Sequence, residues 1–249
     1  MYQLLFIDAQ AQQVRGLDGD LMAAAAELAA DADDAVSHAI AFSLLLLQRI
    51  QHRAGERVIA GDEPDIGAQG GVGLRQRHTD AAGAGDTKER AYELEVIERN
   101  GKKFGFLAAS RVIPVSNWNV QERTPGMLTA YDDTKLVELI KDARESCDFL
   151  TVYMHWGVEY DAYPQAYQVK IAEDCFTAGA DLVIGAHTHC LQGVSYIDGK
   201  PVFFSLGNFV FGSDIDKSMA VKVTVDSANQ AEYQLIPVYA SSGTTKKMD

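Results

Sequence analysis

Three histidines stand where a metal-binding site would need them. His155 lies in His155-Trp156-Gly157, at the end of an apolar run. His187 and His189 lie in Gly185-Ala186-His187-Thr188-His189, just past the next apolar run, Asp181 to Gly185. If both runs are parallel strands, all three sit at carboxyl ends, where open α/β sheets bind ligands. Neighbouring strands are about 4.8 Å apart, so such end residues can converge on one ion. In extended backbone, residues i and i+2 point the same way, which would aim both imidazoles of H-x-H at one site or at two sites a few ångströms apart. Imidazole suits several divalent transition metals, so Mn, Zn and Fe all remain candidates. Gly185 is expected to permit a sharp exit from its strand.

Other groups surround these histidines in the sequence. Glu159 follows His155 by four residues and suits a supporting carboxylate, a substrate contact or a proton-transfer group; a solvated loop acid accounts for it equally well. Asn208, in Ser205-Leu206-Gly207-Asn208-Phe209, serves either to hold a substrate oxygen or a ligand in place, or to stabilise a turn. Cys190 is read as a small buried residue rather than a soft ligand. Trp156 either walls the site or packs in the core.

The elements that must position these groups form a regular series. Phe104 to Ala109 reads as a strand, Thr134 to Cys147 as an amphipathic helix, and Asp148 to Trp156 as a buried strand. Pro164 to Ala178 reads as a second helix with Gly179 past its end. Strands follow at Asp181 to Gly185, Pro201 to Val210, Met219 to Val225 and Tyr233 to Tyr239, with a turn at Asp198-Gly199. Alternating strands and helices predict an α/β domain with parallel pairing, closed by an antiparallel meander.

Residues 1–82 differ from residues 83–249. All 11 lysines and all five asparagines lie after residue 80, as do 19 of the 22 aromatics, while 15 alanines lie before it. Helical periodicity is visible at Leu21 to Ala35 and Ala39 to Ile50. The glycine-rich run Gly67 to Gly73 lacks the Gly-Lys-Ser/Thr of a phosphate loop and reads as loop. Little apolar area is available for burial between Gln51 and Thr79.

The composition excludes some classes. A net charge of −13 opposes non-specific binding to nucleic acid or an anionic membrane. Three scattered cysteines make no disulfide framework and no CxxC zinc site. The most apolar stretch, Ala39 to Leu47, is far short of the roughly 20 residues of a spanning helix. No export signal is visible, so the chain as encoded is expected in the cytoplasm.

The run HWGVEY (155–160), AGADLVIGAHTHCLQ (178–192) and PVFFSLGNFVFG (201–212) resembles the poly-gamma-glutamate capsule biosynthesis proteins of the CapA type, within the calcineurin-like metallophosphoesterase superfamily. The resemblance extends back through NGKKFGFLAAS (100–110) to Gly83-Ala84-Gly85 and forward to Tyr239, about two-thirds of the chain. It implies a four-layer αββα sandwich with a dinuclear metal centre. His155, His187 and His189 would be metal ligands, and Glu159 and Asn208 would position substrate or transfer protons. An anionic polymer or phosphoester-like substrate, the capsule-synthesis machinery as partner, and a cell-envelope setting are implied as well. The family's early motifs are a G-D-x-M-type aspartate, an N-L-E-type acid and N-N-H-x-x-D; the last two are absent from residues 1–82, and Gly19-Asp20-Leu21-Met22 looks like the first but lacks the apolar strand that should precede it. Asp62 and His78-Thr79-Asp80 are similar fragments in poor context. The site is therefore expected to be incomplete as encoded, with little metal-dependent hydrolysis. Two further readings stand beside this one: a non-enzymatic component that binds or organises polymer, and a generic metal-dependent phosphoesterase.

The break near residue 80 is expected to reflect a shifted reading frame or misplaced start. DNA upstream of codon 83 should then encode an N-N-H-x-x-D-like motif in another frame. Limited proteolysis should cut within residues 1–82 while residues from about 100 to 240 resist. Absence of such a motif from every other frame shortly before codon 83 would remove the idea.

Overall fold

Burial patterns along the chain decide which segments become strands. The computed structural model describes residues 2–6, 82–99, 101–113, 115–122, 124–209, 214–241 and 244–248. The helices expected at 21–35 and 39–50 and the Gly67 to Gly73 loop lie outside the described residues. By contact density the chain forms two units: Leu46–His155 with Glu173–Leu182, and Met1–Leu45 with Trp156–Ala172 and Val183–Asp249.

In the first unit, β2 (Ala84–Gly85) pairs antiparallel with β5 (Gly126–Met127), and α1 (Lys88–Ala91) follows β2. β3 (Glu95–Arg99) turns through Gly101, φ 77°, into β4 (Lys102–Ser110) as an antiparallel hairpin. β4 then pairs in parallel with β6 (Phe149–His155), from Phe104 opposite Phe149 to Ser110 opposite His155. All seven residues of β6 are buried. A strand covered on both faces reads as a continuous apolar run, which is why FLTVYMH shows no alternation.

The crossover from β4 to β6 runs through α2 (Thr134–Arg144), which buries Leu136, Ile140 and Ala143. The expected apolar face is correct, but the helix stops three residues before Cys147. Arg144 explains the stop: its guanidinium donates to the Cys147 carbonyl and pairs with Asp181. The Asp181 carboxylate also accepts from the Leu150 amide at 2.8 Å.

α3 (Ala166–Ala178) buries Gln168, Ile171, Ala172, Cys175, Phe176 and Ala178. Gly179, φ 122°, ends it, and its N–H reaches the Cys175 carbonyl at 3.2 Å. That is the left-handed stop expected of a glycine after a helix.

In the second unit, β7 (Leu182–Ala186), whose first residue belongs to the first unit, pairs in parallel with β9 (Lys200–Phe203). β8 (Val194–Ile197) and β9 form a hairpin across Asp198 and Gly199, with φ 50° and 77°. Two positive φ values suit the tight turn that right-twisted strands require. The strand expected from Pro201 to Val210 is shorter: it ends at Phe203, and the following residues form a loop. β10 (Ile215–Val225), β11 (Ala231–Ser241) and β12 (Thr244–Lys247) make the expected antiparallel meander. β1 (Tyr2–Phe6) adds to β10 antiparallel, Tyr2 opposite Val225. This strand is absent from the sequence reading, because five residues give too short a period to register. The Phe203 and Tyr233 rings, 6.0 Å apart, join β9 to the meander.

No helix among the described residues is long and apolar enough to cross a membrane. The three cysteines differ in reactivity. Burial raises the Cys147 thiol and pushes that of Cys175 far up, while Cys190 is only half-buried. A thiolate is the reactive form. Iodoacetamide at about pH 8 should therefore modify Cys190 first and reach Cys147 and Cys175 only after denaturation. Equal labelling of the three in the native protein would contradict this packing.

Candidate functional site

Trp156 fixes the position of two loops. It is fully buried, its backbone N–H donates to Ala186 at 3.2 Å, and its indole N–H donates to the Phe204 carbonyl at 2.9 Å. Gly185 lies directly against it. A Cβ there would stand 2.1 Å from the Phe204 oxygen and 2.3 Å from the indole nitrogen. Gly185 is thus demanded by close approach inside β7, which corrects the expectation of a sharp strand exit.

The exit is made by the histidines themselves. His187 has φ 97° and His189 φ 58°. The H-x-H segment is therefore not extended, contrary to the reading from spacing. Left-handed backbone at two non-glycine residues is strained and persists only where surroundings over-determine it. Here the surroundings are visible. Thr188 between them is fully buried and donates to the Cys190 carbonyl at 2.9 Å. Its own carbonyl accepts from the Tyr160 amide at 2.7 Å. Gly157, φ 98°, leaves room for the Thr188 methyl, which a Cβ would meet at 2.5 Å.

The result is a cluster in the second unit. The His187 and His189 rings are 6.2 Å apart. The His189 Nδ1 lies 2.9 Å from the Asn208 carboxamide oxygen. In the neutral ring, an oxygen acceptor there places the proton on Nδ1 and the lone pair on Nε2. Burial holds the His187 pKa below its ordinary value, with nearby Glu159 opposing the shift and His189 reinforcing it. Glu159 is exposed and within electrostatic reach of His187. Four of the five residues singled out from sequence, Glu159, His187, His189 and Asn208, thus fall in one unit. His155 ends β6 in the other unit; it is buried, and its carbonyl accepts from Arg111 at 2.7 Å.

Tyr160 has no role in the sequence reading. Its ring stacks on His189 at 5.7 Å while remaining 72% exposed, with φ 62°. A buried amide network, also unforeseen, braces the loops. Gln168 on α3 donates to Gln192 at 2.9 Å, and Gln192 donates to the carbonyls of Asp161 and Tyr163. Gln165 contributes further bonds to Gln168 and Asp161. Cys190 contacts the Asp161 carbonyl and Thr188 Oγ1, which gives it a bracing role in the same network.

Neutral imidazoles with a fixed lone pair are the donor form that a divalent transition metal requires. By donor chemistry His187 and His189 fit such an ion. Among the described residues, however, no three His, Cys, Asp or Glu side chains form a ready metal-binding group.

Gly185→Ala tests the packing that orders these loops. Overpacking of this kind costs about 1–3 kcal/mol. The melting temperature should fall by at least several degrees, read by circular dichroism. An unchanged melting curve would show that Trp156 and Phe204 are not locked as described.

Comparisons with known proteins agree with this architecture. The chain matches the family described as bacterial capsule synthesis protein PGA_cap over residues 72–213, starting upstream of the boundary read from composition. It is 34% identical over 140 residues to the PGA biosynthesis protein CapA of Bacillus subtilis (strain 168), covering 55% of this chain and 36% of that protein. It is 28% identical over 192 residues to the capsule biosynthesis protein CapA of Bacillus anthracis, covering 73% and 46%. The chain therefore spans less than half the length of these two relatives. Among solved structures, the Haemophilus influenzae NAD nucleotidase NadN aligns with a TM-score of 0.52 and 13% identity, covering 100% of this chain and 60% of that one. A hypothetical protein from Thermus thermophilus aligns with a TM-score of 0.50 and 12% identity, covering 94% and 99%. At such identities the likeness concerns fold alone, a mixed α/β architecture. The family match spans more than half the chain and includes all the histidine-bearing motifs, so the chain belongs to the bacterial capsule synthesis protein PGA_cap family.

Proposed function

We propose that this chain acts in the biosynthesis of a poly-gamma-glutamate capsule and that its histidine loops hold a divalent transition metal. The observation that carries the reading is the His189–Asn208 contact beside His187. A buried carboxamide, 3% exposed, is committed to orienting one imidazole where core packing alone would have used an apolar residue. Polar groups that orient ligating histidines are a recurrent feature of metal sites.

His187 and His189 would hold the metal, and on sequence grounds His155 is proposed with them. The metal would supply electrophilic polarisation and a more acidic bound water. Asn208 holds the His189 tautomer. Glu159, exposed near His187, suits proton transfer or contact with substrate. The anionic polymer, or a phosphoester-like group, is the proposed substrate, and the capsule-synthesis machinery the proposed partner. Mn, Zn and Fe are the candidate ions.

Two measurements test this reading. Elemental analysis of the purified chain should find a transition metal, strongly reduced in His187→Ala and unchanged in His38→Ala. In the native host, replacing the gene with the His187→Ala allele should lower gamma-linked glutamate at the cell surface. Equal metal content in both variants would remove the metal. Unchanged polymer after complete deletion of the gene would remove the capsule role.

A further inference from the structure

An open cleft of about 740 Å³ lies in the first unit, between Ile113, residues 115–119, residues 128–132 and the first turn of α2. None of its lining residues belongs to the histidine loops. Two tyrosines line it: Tyr131 offers a flat surface, while the Tyr92 ring carries the Lys88 and Lys135 ammonium groups 5.9 and 5.5 Å from its centroid. Tyr131 is 52% exposed yet held at two points. The Arg111 guanidinium carbon lies 4.1 Å from the ring centroid, and the Ile113 N–H donates to the hydroxyl at 3.3 Å. A cation on one face and a bond at the tip restrict the ring while leaving much of it accessible. An aromatic ring fixed before binding loses little freedom on contact with a ligand.

Around these rings the cleft alternates apolar and hydrogen-bonding groups. Ile113 and Leu128 give apolar wall. Ser116 offers a hydroxyl, and Asn119, whose Oδ1 accepts from Thr129 at 2.8 Å, offers amide hydrogens. The charged groups of the cleft are engaged within its own wall. Lys135 bonds Glu138 at 3.0 Å, and the Asp132 carboxylate accepts from the backbone and hydroxyl of Thr134. An anionic chain would have to break the Lys135–Glu138 pair and approach a protein of net charge −13. A neutral ligand with a flat C–H face and hydroxyls at its rim meets no such cost.

We propose that this cleft binds a neutral saccharide, with one pyranose ring stacked on Tyr131 and its hydroxyls bonded to Ser116 and Asn119. The proposal does not depend on the histidine loops or on a metal. It assigns the chain a second recognition surface, for carbohydrate, that its sequence motifs do not carry.

The test is calorimetric titration of the whole chain with chitohexaose and with cellohexaose. Saturable binding of at least one is expected. Tyr131→Ala should weaken it about tenfold, the scale of one lost aromatic contact. Tyr92→Ala should weaken it as well. Tyr196→Ala, at an exposed position on β8, should leave it unchanged. Circular dichroism checks folding of each variant, and Asn119→Leu, at an exposed position, gives an independent loss should Tyr131→Ala fail to fold. A soluble gamma-glutamyl oligomer should not compete. The proposal is overturned by absence of saturable binding to both saccharides, by unaltered affinity in both tyrosine variants, or by displacement with the gamma-glutamyl oligomer.

Discussion

The contact between Trp156 and Gly185 is the constraint on which the histidine loops depend. An indole can lie this close to a backbone only where the opposing residue has no side chain. Once it does, its N–H reaches the Phe204 carbonyl and its own amide reaches Ala186. Three segments far apart in the chain are thereby tied at one place: the start of the 156–160 loop, the end of β7 and the residue after β9. The chemistry-bearing residues follow directly from those anchor points. His187 is two residues past Gly185, Glu159 three past Trp156 and Asn208 four past Phe204.

Short tethers leave little freedom, and the loops spend it on strain. Tyr160, His187 and His189 all adopt left-handed backbone without being glycine. Each such residue costs about 1–3 kcal/mol. Opposing that cost are fully buried Thr188 and the Gln168–Gln192 amide pair, whose hydrogen bonds are hard to exchange for water once buried. Gln168 shows the trade clearly. It occupies a core-facing position on α3 where an apolar residue would pack, and it gives that position to a bond across to the loop.

The two regions with recognition chemistry are built by opposite means. The histidine loops gather titratable groups by backbone strain and buried polar bonds. The tyrosine cleft relies on unstrained backbone and pairs its charges locally, which leaves flat apolar surface and neutral donors. A surface of the first kind suits ions and charged groups. One of the second kind suits neutral ligands, because desolvating an unpaired charge is the dominant cost of polar recognition.

Much of this was legible in the sequence. The apolar runs of β4, β6 and β7, the face of α2 and the glycine stop after α3 follow from period and propensity, which are local. The family resemblance rested on contiguous motifs and is matched by the family assignment. The candidate residues could be named from type and spacing alone, because strand ends are where such residues act. Geometry is where spacing misleads. It suggests an extended H-x-H and a sharp strand exit at Gly185, because neither the left-handed turn nor the buried indole leaves a local signature. Tyr160, Gln168 and Gln192 look like ordinary polar or surface residues, and the Tyr131 platform is invisible. Their roles arise from partners 18 to 31 residues away, as with Tyr131 and Ile113 or Gln192 and Asp161. The sequence by itself determined the order of the main strands and helices between residues 104 and 239, the candidate site residues and the family. The tertiary structure alone decided which side chains meet, since contact depends on chain segments whose proximity no local pattern encodes.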